Sequence, residues 1–340
     1  MALHINHQTN DITTDSGKVK LNGTELGGTG GSSSSAVWYG DRGILSGFGT
    51  SYANIDYFDI TTTSNAADFG DHTENTRGRN AWASNGTRGV FGGVYGGSGM
   101  TTIAIDYITI STTGNCADFG DLSIPRYDMP AACSNGTYAV WGGGYTFNNY
   151  HGHNIVGNEL DYVTIATTGN ATDFGNLLSA NTYRHGAFAD ATRGVYFGGL
   201  LTSGATNVVQ YITIASPSNA TDFGDLSGTA RDTSGCSDTT RGVVCGGQVS
   251  GSSSNQIQYF TIQTLGNSTD FGDLTSFSMG GASCSNGTRA VHHMGEYNNS
   301  NTNANQIDYF AIQTLGNASD FGDATVAGAE GTAATSGAAS

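Results

Sequence analysis

A three-residue motif, Asp-Phe-Gly, recurs six times in this chain and constrains its fold more than any other feature. Its phenylalanines are Phe69, Phe119, Phe174, Phe223, Phe271 and Phe321, which are spaced 50, 55, 49, 48 and 50 residues apart. A regular period of this length is typical of proteins that repeat one small structural unit. The fold is therefore built from a unit that spans one period.

Four strand patterns follow one another within each period. Large apolar and polar residues alternate before each motif, as in IDYITI at 105–110, which is typical of a strand with two different faces. Further upstream, TRGVFGG at 87–93 and its counterparts predict an apolar strand that ends in paired glycines. A small-residue segment closed by an Asn-Gly turn, as in RNAWASNG at 79–86, precedes it. With the motif strand, each period predicts a four-stranded antiparallel sheet, and radial repetition would bury both faces of such sheets.

The order of arginine, paired glycines, tyrosine and a late aromatic residue resembles the kelch repeat. The paired glycines are Gly92-Gly93, Gly142-Gly143, Gly198-Gly199 and Gly246-Gly247, and the tyrosines are Tyr57, Tyr107, Tyr162, Tyr211, Tyr259 and Tyr309. The motif phenylalanine stands where kelch repeats usually carry tryptophan. The resemblance covers residues 33–323 and implies an all-β fold, a six-bladed kelch-like β-propeller, but it implies little about function.

Two segments compete for the first strand of the first repeat. One candidate is residues 33–39, SSSAVWY, which directly precede that repeat in sequence. The other is residues 329–337, AEGTAATSG, which follow the sixth repeat and match the small-residue pattern. A strand from 329–337 would lock the ring of repeats. We therefore expect 329–337 to complete the first repeat.

Residues 1–26 contain none of the repeat, although KVKLNGTEL at 18–26 predicts a short hairpin. A Gly/Ser linker at 27–35 follows, so the predicted domains are 1–26, 27–35 and 36–340. A peptide of this type ahead of such repeats resembles structural proteins of tailed phages, including cyanophages. The resemblance implies that residues 1–26 attach the chain to other virion proteins, or to sister chains in a homo-oligomer, and that the protein is located in the virion.

Charge and hydropathy exclude several classes of partner. The formal net charge is −16, so the chain offers no basic stripe for nucleic acid. No apolar run is long enough to insert into a membrane, and the N-terminal residues have no hydrophobic signal core, which predicts synthesis in a host cytoplasm.

Aromatic and amide residues in two variable loops are the best candidates for ligand binding. The loop at 145–159 carries Tyr145, Phe147, Tyr150, His151 and His153, and the Asn-rich loop at 295–306 carries Tyr297. Aromatic faces among amides suit a host cell-surface glycan, and binding residues favour loops on a rigid scaffold. Solvated loops with no ligand are the competing interpretation.

Other polar residues are interpreted as structural. The odd number of cysteines leaves at least one unpaired, and we expect Cys133, Cys236 and Cys284 to be small buried apolar residues. We expect the aspartates of the Asp-Phe-Gly-Asp strands to cap turns rather than to bind calcium. The repeated arginines are expected to pair with aspartates, and the adjacent His292 and His293 to face opposite ways and share no metal. The sequence thus predicts no metal site and no cofactor.

No known catalytic motif is present in the sequence, so the chain is expected to be non-enzymatic. The leading hypothesis is a structural component of a phage virion: a fibre, spike or decoration protein. A carbohydrate-binding host-recognition module is the first alternative. A glycan-processing enzyme, which would need an acid pair in the central funnel, is the second.

Overall fold

The computed structural model consists of β-strands and connecting loops in the residues that it describes. Every pairing between its strands is antiparallel, and those residues contain no helix, which confirms the prediction of an all-β fold. No helix in the described residues is long and apolar enough to cross a membrane. The described residues are 3–6, 11–14, 20–21, 24–25, 39–48, 53–73, 76–77, 81–93, 95–96, 103–126, 128, 130–148, 153–178, 183–297 and 302–338.

The chain divides into two compact units, Met1–Ser35 and Ala36–Ser340. The first unit contains two strand pairs, β1 (Leu3–Asn6) with β2 (Asp11–Thr14) and β3 (Lys20–Leu21) with β4 (Thr24–Glu25). The β3–β4 pair places Leu21 opposite Thr24, which confirms the short hairpin predicted in 18–26.

The second unit contains the repeats. The strands of the first three repeats are β5 (Arg42–Phe48), β6 (Asn54–Asp59) and β7 (Ala67–Asp71); β8 (Thr76–Arg77), β9 (Ala81–Ser84), β10 (Arg88–Gly92), β11 (Tyr95–Gly96), β12 (Ala104–Thr109) and β13 (Ala117–Asp121); and β14 (Ala131–Ser134), β15 (Tyr138–Gly142), β16 (Tyr145–Asn148), β17 (His153–Val156), β18 (Glu159–Thr164) and β19 (Thr172–Asn176). The strands of the last three are β20 (Gly186–Ala189), β21 (Arg193–Phe197), β22 (Leu200–Leu201), β23 (Gly204–Thr213) and β24 (Thr221–Arg231); β25 (Ser234–Ser237), β26 (Arg241–Cys245), β27 (Gln248–Val249), β28 (Ser252–Thr261) and β29 (Thr269–Ser278); and β30 (Ala282–Ser285), β31 (Arg289–His293), β32 (Glu296–Tyr297), β33 (Thr302–Ala311) and β34 (Ser319–Gly337).

The four predicted strands of a period pair in their sequence order. In the second repeat the small-residue strand β9 pairs with β10, β10 pairs with β12, and β12 pairs with the motif strand β13. The third to sixth repeats have the same order. The prediction of four antiparallel strands per period is therefore confirmed.

Strand β34 belongs to two repeats. Its first part is the motif strand of the sixth repeat, where Asp320 pairs with Asp308 of β33. Its last part, residues 333–337, pairs with Arg42–Ser46 of β5 and so supplies the small-residue strand of the first repeat. The structure thus selects the C-terminal candidate for this place. Of the competing segment 33–39, only Tyr39 lies within the described residues, and it is not in a strand.

Small-residue strands of successive repeats lie against one another in the order β9, β14, β20, β25, β30 and the last part of β34, which in turn contacts β9. Serine hydroxyls near the ends of these strands donate to a backbone carbonyl of the adjacent strand over 2.5 to 2.8 Å. The donors are Ser84, Ser134, Ser237, Ser285 and Ser336. The fourth repeat has Ala189 at this position and has no hydroxyl to donate. We call this set of bonds the serine ladder.

The apolar core lies between neighbouring repeats rather than within one. Each of its six clusters combines buried residues from two adjacent repeats. One cluster, for example, contains Phe119 and Leu122 of the second repeat with Trp141 and Ile165 of the third. Another joins Leu45 of the first repeat to Phe321 of the sixth. Each repeat therefore contributes to one apolar cluster on each of its two faces, and it buries these faces only when both adjacent repeats are present.

The recurrent Asp-Phe-Gly motif forms the junction between repeats. Its phenylalanine is buried, and its glycine lies so close to the next repeat that a Cβ on Gly224 would approach the Gly266 carbonyl oxygen to 2.3 Å. An asparagine of the next repeat accepts a hydrogen bond from the backbone N–H two residues after the phenylalanine, over 3.0 to 3.1 Å. The asparagines are Asn65, Asn115, Asn170, Asn219, Asn267 and Asn317. The residue that makes this contact is the aspartate directly after the motif glycine, or Asn176 in the third repeat, and it uses its backbone N–H. We expected its side chain to cap the turn instead.

The repeated arginines do not pair with aspartates, so that prediction was wrong. Each guanidinium lies over the tyrosine of its own repeat, 4.4 to 4.8 Å from the ring centre, and donates to an isoleucine carbonyl of a neighbouring repeat over 2.9 to 3.1 Å. The arginines are Arg42, Arg88, Arg193, Arg241 and Arg289. An aromatic face and a carbonyl satisfy the cation without a carboxylate.

Candidate functional site

Some of the predicted loop residues share a hairpin. Strands β16 and β17 carry Tyr145, Phe147 and His153, and their register places Phe147 opposite Asn154 and Asn148 opposite His153. Tyr297 lies on β32, which pairs with β33 of the sixth repeat, so no strand pairing brings it to this hairpin. The two other predicted residues, Tyr150 and His151, lie outside the described residues.

Tyr145 contacts a second tyrosine that the sequence analysis did not single out. Its ring meets that of Tyr183 edge-on, with centres 5.6 Å apart and planes at 61°. Both side chains are half-buried, so part of each ring faces solvent. Burial raises the pKa of Tyr183, and the charge of Asp128 raises it further, so this phenol stays protonated and can donate a hydrogen bond.

A chain of charged side chains lies beside this tyrosine pair. Arg184 Nε is 3.1 Å from Asp128 Oδ1, and its Nη1 atom is 3.5 Å from Asp232 Oδ2. Arg231 Nε approaches the same Asp232 oxygen to 3.7 Å. We call Tyr145, Tyr183 and these four charged residues the aromatic-ionic patch.

Three members of the aromatic-ionic patch have left-handed backbone conformations. Asp128, Arg184 and Asp232 have φ values of 62°, 57° and 55°, whereas the last two repeats have Gly280 and Gly331 at the corresponding position. A residue with a side chain costs about 1–2 kcal/mol in this conformation. Non-glycine residues held in such conformations concentrate at functional sites. Charged residues in place of glycine were the sequence signal that would have identified this patch.

The space between the small-residue strands is narrow. Two cavities of about 100 and 70 Å³ lie there, lined mainly by alanine, serine, glycine and cysteine. No carboxylate belongs to the described lining of either cavity, so the lining contains no acid pair of the kind that glycoside hydrolysis uses.

His292 and His293 make separate hydrogen bonds in the interior. Ser283 and Ser278 contact the two nitrogens of His292 at 2.9 and 2.7 Å, whereas His293 Nδ1 accepts from the Gly295 N–H at 3.2 Å. Burial lowers the pKa of His292 to about 3 and that of His293 to about 4. Both rings are therefore neutral, and each makes its own hydrogen bonds in the interior.

A third group of polar residues lies at the junction of the first and second repeats. His72, Asp106 and Cys116 each offer one metal-ligand atom, and the three atoms lie within 4.8 Å of one another. The Sγ atom of Cys116 is 3.5 Å from His72 Nδ1, and Thr73 Oγ1 donates to Asp106 Oδ2 over 2.5 Å. Burial lowers the pKa of His72 to about 3, so its ring is neutral. All five cysteines are free and buried, which confirms the burial predicted for Cys133, Cys236 and Cys284, but Cys116 differs from the others in having these neighbours.

Comparison with known proteins gives the chain no family: no family model matches it, and no curated protein is similar to it in sequence.

Proposed function

We propose that residues 36–340 form a six-bladed β-propeller of the kelch-like kind, in which each repeat is one blade. The proposal is supported by six core clusters that link each repeat to its neighbours, including the sixth to the first. It is supported again by the six asparagine contacts, since Asn65 of the first repeat accepts from the Asp323 N–H of the sixth.

Small-angle X-ray scattering of the full chain tests this closed arrangement. A compact domain of this size has a radius of gyration of about 19 Å. We expect a value slightly above this figure, because the N-terminal unit adds length. An open array of the same sheets would give a clearly larger radius and an elongated distance distribution, and this result would contradict the proposal.

We further propose that the protein is a non-enzymatic structural component of a tailed-phage virion. One observation carries this proposal: the polar side chains that recur in five or six of the repeats contact neighbouring repeats rather than converge on a site. The arginines, the asparagines and the serine ladder all do so. Residues 1–26 lie in the separate first unit and would attach the propeller to other virion proteins.

Particle incorporation tests this role. We expect mass spectrometry of purified virions to detect the chain, and a variant without residues 1–26 to be absent from particles although it melts at the same temperature as the full chain. A variant that shortens 27–35 but keeps 1–26 is the matched control and should still be incorporated. Incorporation without residues 1–26 would contradict the attachment role, and absence of the wild-type chain from virions would contradict the whole proposal.

A second candidate function, carbohydrate binding, is favoured by the aromatic-ionic patch. Half-exposed tyrosine rings next to fixed carboxylate and guanidinium groups offer sugars both stacking and hydrogen bonding. We expect binding on a glycan array that Tyr183→Ala and Tyr145→Ala each abolish. Phe277→Ala is the control, because Phe277 is a 42% exposed aromatic residue on another strand. Binding that persists in both tyrosine variants, or no binding by the wild-type chain, would contradict this function.

A further inference from the structure

The six junctions between repeats share one polar clasp. An acidic or amide side chain of each repeat accepts a hydrogen bond from the residue three positions after the Asp-Phe-Gly motif of the preceding repeat. The accepting residues are Asp56, Asp106, Asp161, Gln210, Gln258 and Asp308. Asp106 therefore has a structural partner, Thr73, that also fixes the direction of its carboxylate.

The junction between the first two repeats departs from the others at two positions. His72 stands where the following repeats have Leu122, Leu177, Leu226, Leu274 and Ala324. Cys116 stands where the other repeats have Ala66, Ala171, Ala220, Ser268 and Ala318. Both departures introduce a metal-ligating side chain, and both lie beside the same carboxylate.

The geometry of the group suits a tetrahedral ion. Zinc binds thiolate sulfur at about 2.3 Å and imidazole nitrogen at about 2.0 Å, so two such ligands lie about 3.5 Å apart. The Cys116 Sγ and His72 Nδ1 atoms are separated by 3.5 Å. The imidazole is held in place by a stack on Phe91, with ring centres 4.1 Å apart, and by Trp82.

Protonation and access also fit. A metal needs a neutral imidazole, and burial keeps His72 neutral by lowering its pKa to about 3. Burial raises the pKa of the Cys116 thiol, and the charges of Asp106 and Asp71 raise it further, so the thiol loses its proton only when a cation replaces it. Cys116 keeps 9% of its surface exposed, which leaves the group within reach of solvent.

The packing of this junction does not require a histidine at position 72. If Cys116 donates its proton to Nδ1, the other nitrogen of His72 carries a proton, and that atom is buried with no hydrogen-bond partner. A buried unpaired polar atom is unfavourable, and leucine fills this place at four other junctions.

We propose that His72 Nδ1, Cys116 Sγ and a carboxylate oxygen of Asp106 bind one zinc ion between the first and second repeats, with water as the fourth ligand. Binding releases the Cys116 proton to solvent. The bound ion links the two repeats through residues from both of them, and its water ligand leaves one exchangeable position.

Metal content of the untagged full chain, loaded with zinc chloride and dialysed, tests the proposal. We expect one zinc per wild-type chain, and a loss of affinity of about a hundredfold or more in His72→Leu and in Cys116→Ala. These substitutions copy the next junction, which has Leu122 and Ala171 around the same type of aspartate, so both variants should fold. Cys284→Ala removes another buried cysteine and should bind zinc as the wild type does.

Cobalt substitution gives an independent measurement that needs no variant. Cobalt at this site should show the absorption of a thiolate-to-metal charge transfer in the wild type and in Cys284→Ala, but not in Cys116→Ala. Wild-type protein that binds no zinc, zinc that remains in both ligand variants, or cobalt that shows no thiolate band would each overturn the proposal.

Discussion

At the scale of single residues, the Asp-Phe-Gly motif needs glycine at its third position for two reasons. The backbone conformation favours glycine, and the adjacent repeat lies too close to leave room for a side chain at this position. In all six copies its φ lies between 140° and 150°, and a Cβ would collide with a backbone carbonyl of another repeat. The carbonyl belongs to residue 64, 114, 169, 218, 266 or 316. A backbone atom cannot rotate away as a flexible side chain can, so the motif tolerates no side chain there.

Two glycines in contact separate the collision from the backbone conformation. Gly224 and Gly266 have φ values of 150° and 151°, but only Gly224 would bring a Cβ within 4 Å of other atoms. We expect Gly266→Ala to lower the free energy of unfolding by about 1 kcal/mol, the cost of the conformation alone. Gly224→Ala should cost at least about 3 kcal/mol, because one repeat must also move. Urea denaturation of both variants measures the difference, and equal losses would show that the contact is unimportant.

A second prediction at this scale concerns His72 in metal-free protein. His72→Leu removes a buried nitrogen without a partner, so we expect the free energy of unfolding to rise by about 1–2 kcal/mol with a chelator present. With zinc present the same variant should be less stable than the wild type, because only the wild type gains binding energy. Leu122→His is the matched reverse substitution and should be destabilising under both conditions. Thermal melts in chelator and in zinc would reveal this change of sign, and a variant that is less stable in both would contradict it.

At the scale of strands, the serine ladder links the small-residue strands of the six repeats. Apart from Trp82 and Phe188 these strands carry small side chains, and in five of the six a terminal serine donates to a carbonyl of the adjacent strand. The serine ladder has one gap. At position 189 of β20 the repeat pattern would place a serine that donates to the Ser134 carbonyl, but this position is Ala189.

Ala189→Ser tests the ladder by filling this gap. Since a hydrogen bond adds about 1 kcal/mol net, we expect the free energy of unfolding to rise by about 0.5–1.5 kcal/mol. Ser285→Ala should lower it by about 1–3 kcal/mol, because the buried Ser237 carbonyl loses its donor. Calorimetry of both variants measures whether the free energy of unfolding rises in Ala189→Ser and falls in Ser285→Ala. A destabilised Ala189→Ser would mean that the strands are too tightly packed there for a hydroxyl group.

The sequence predicted the strands well because each pattern is local and recurs along the chain. The alternation in IDYITI, the Asn-Gly turns and the paired glycines all correspond to observed strands or their ends. It failed for the arginines, since a cation can be satisfied by a ring and a carbonyl, and both lie far away in sequence or across a junction. The aromatic-ionic patch and the His72 group escaped notice for the same reason: their members are brought together by contacts between repeats.

At the scale of the whole molecule, buried histidines set the response to acid. Burial lowers the pKa of His72, His185 and His292 to about 3 and that of His293 to about 4, from an ordinary value of 6.5. Between these values and pH 6.5, the four imidazoles are therefore protonated in the unfolded chain but neutral in the folded chain. Stability is complete above the unfolded value and is lost as the pH falls from there towards the folded values.

We expect the free energy of unfolding to be flat above about pH 7 and to fall below about pH 6.5, by up to about 1.4 kcal/mol per pH unit for each histidine. Asp56 and Asp308 act in the opposite sense near the bottom of this range, because burial raises the pKa of both carboxyl groups. Denaturation at a series of pH values in chelator measures the slope. His72→Leu should reduce it by the equivalent of one proton, and an unchanged slope would contradict the assignment.

Because β34 belongs to both the sixth and the first repeat, it also determines when the first sheet can be completed during synthesis. Residues 333–337 pair with 42–46, so the two strands of this pair leave the ribosome almost three hundred residues apart. Sheets two to six can form while synthesis proceeds, but the first sheet keeps an unpaired edge until residue 337 emerges. Nascent chains therefore carry an unpaired edge strand until residue 337 emerges, and the first sheet is completed only when its distant partner pairs with that strand.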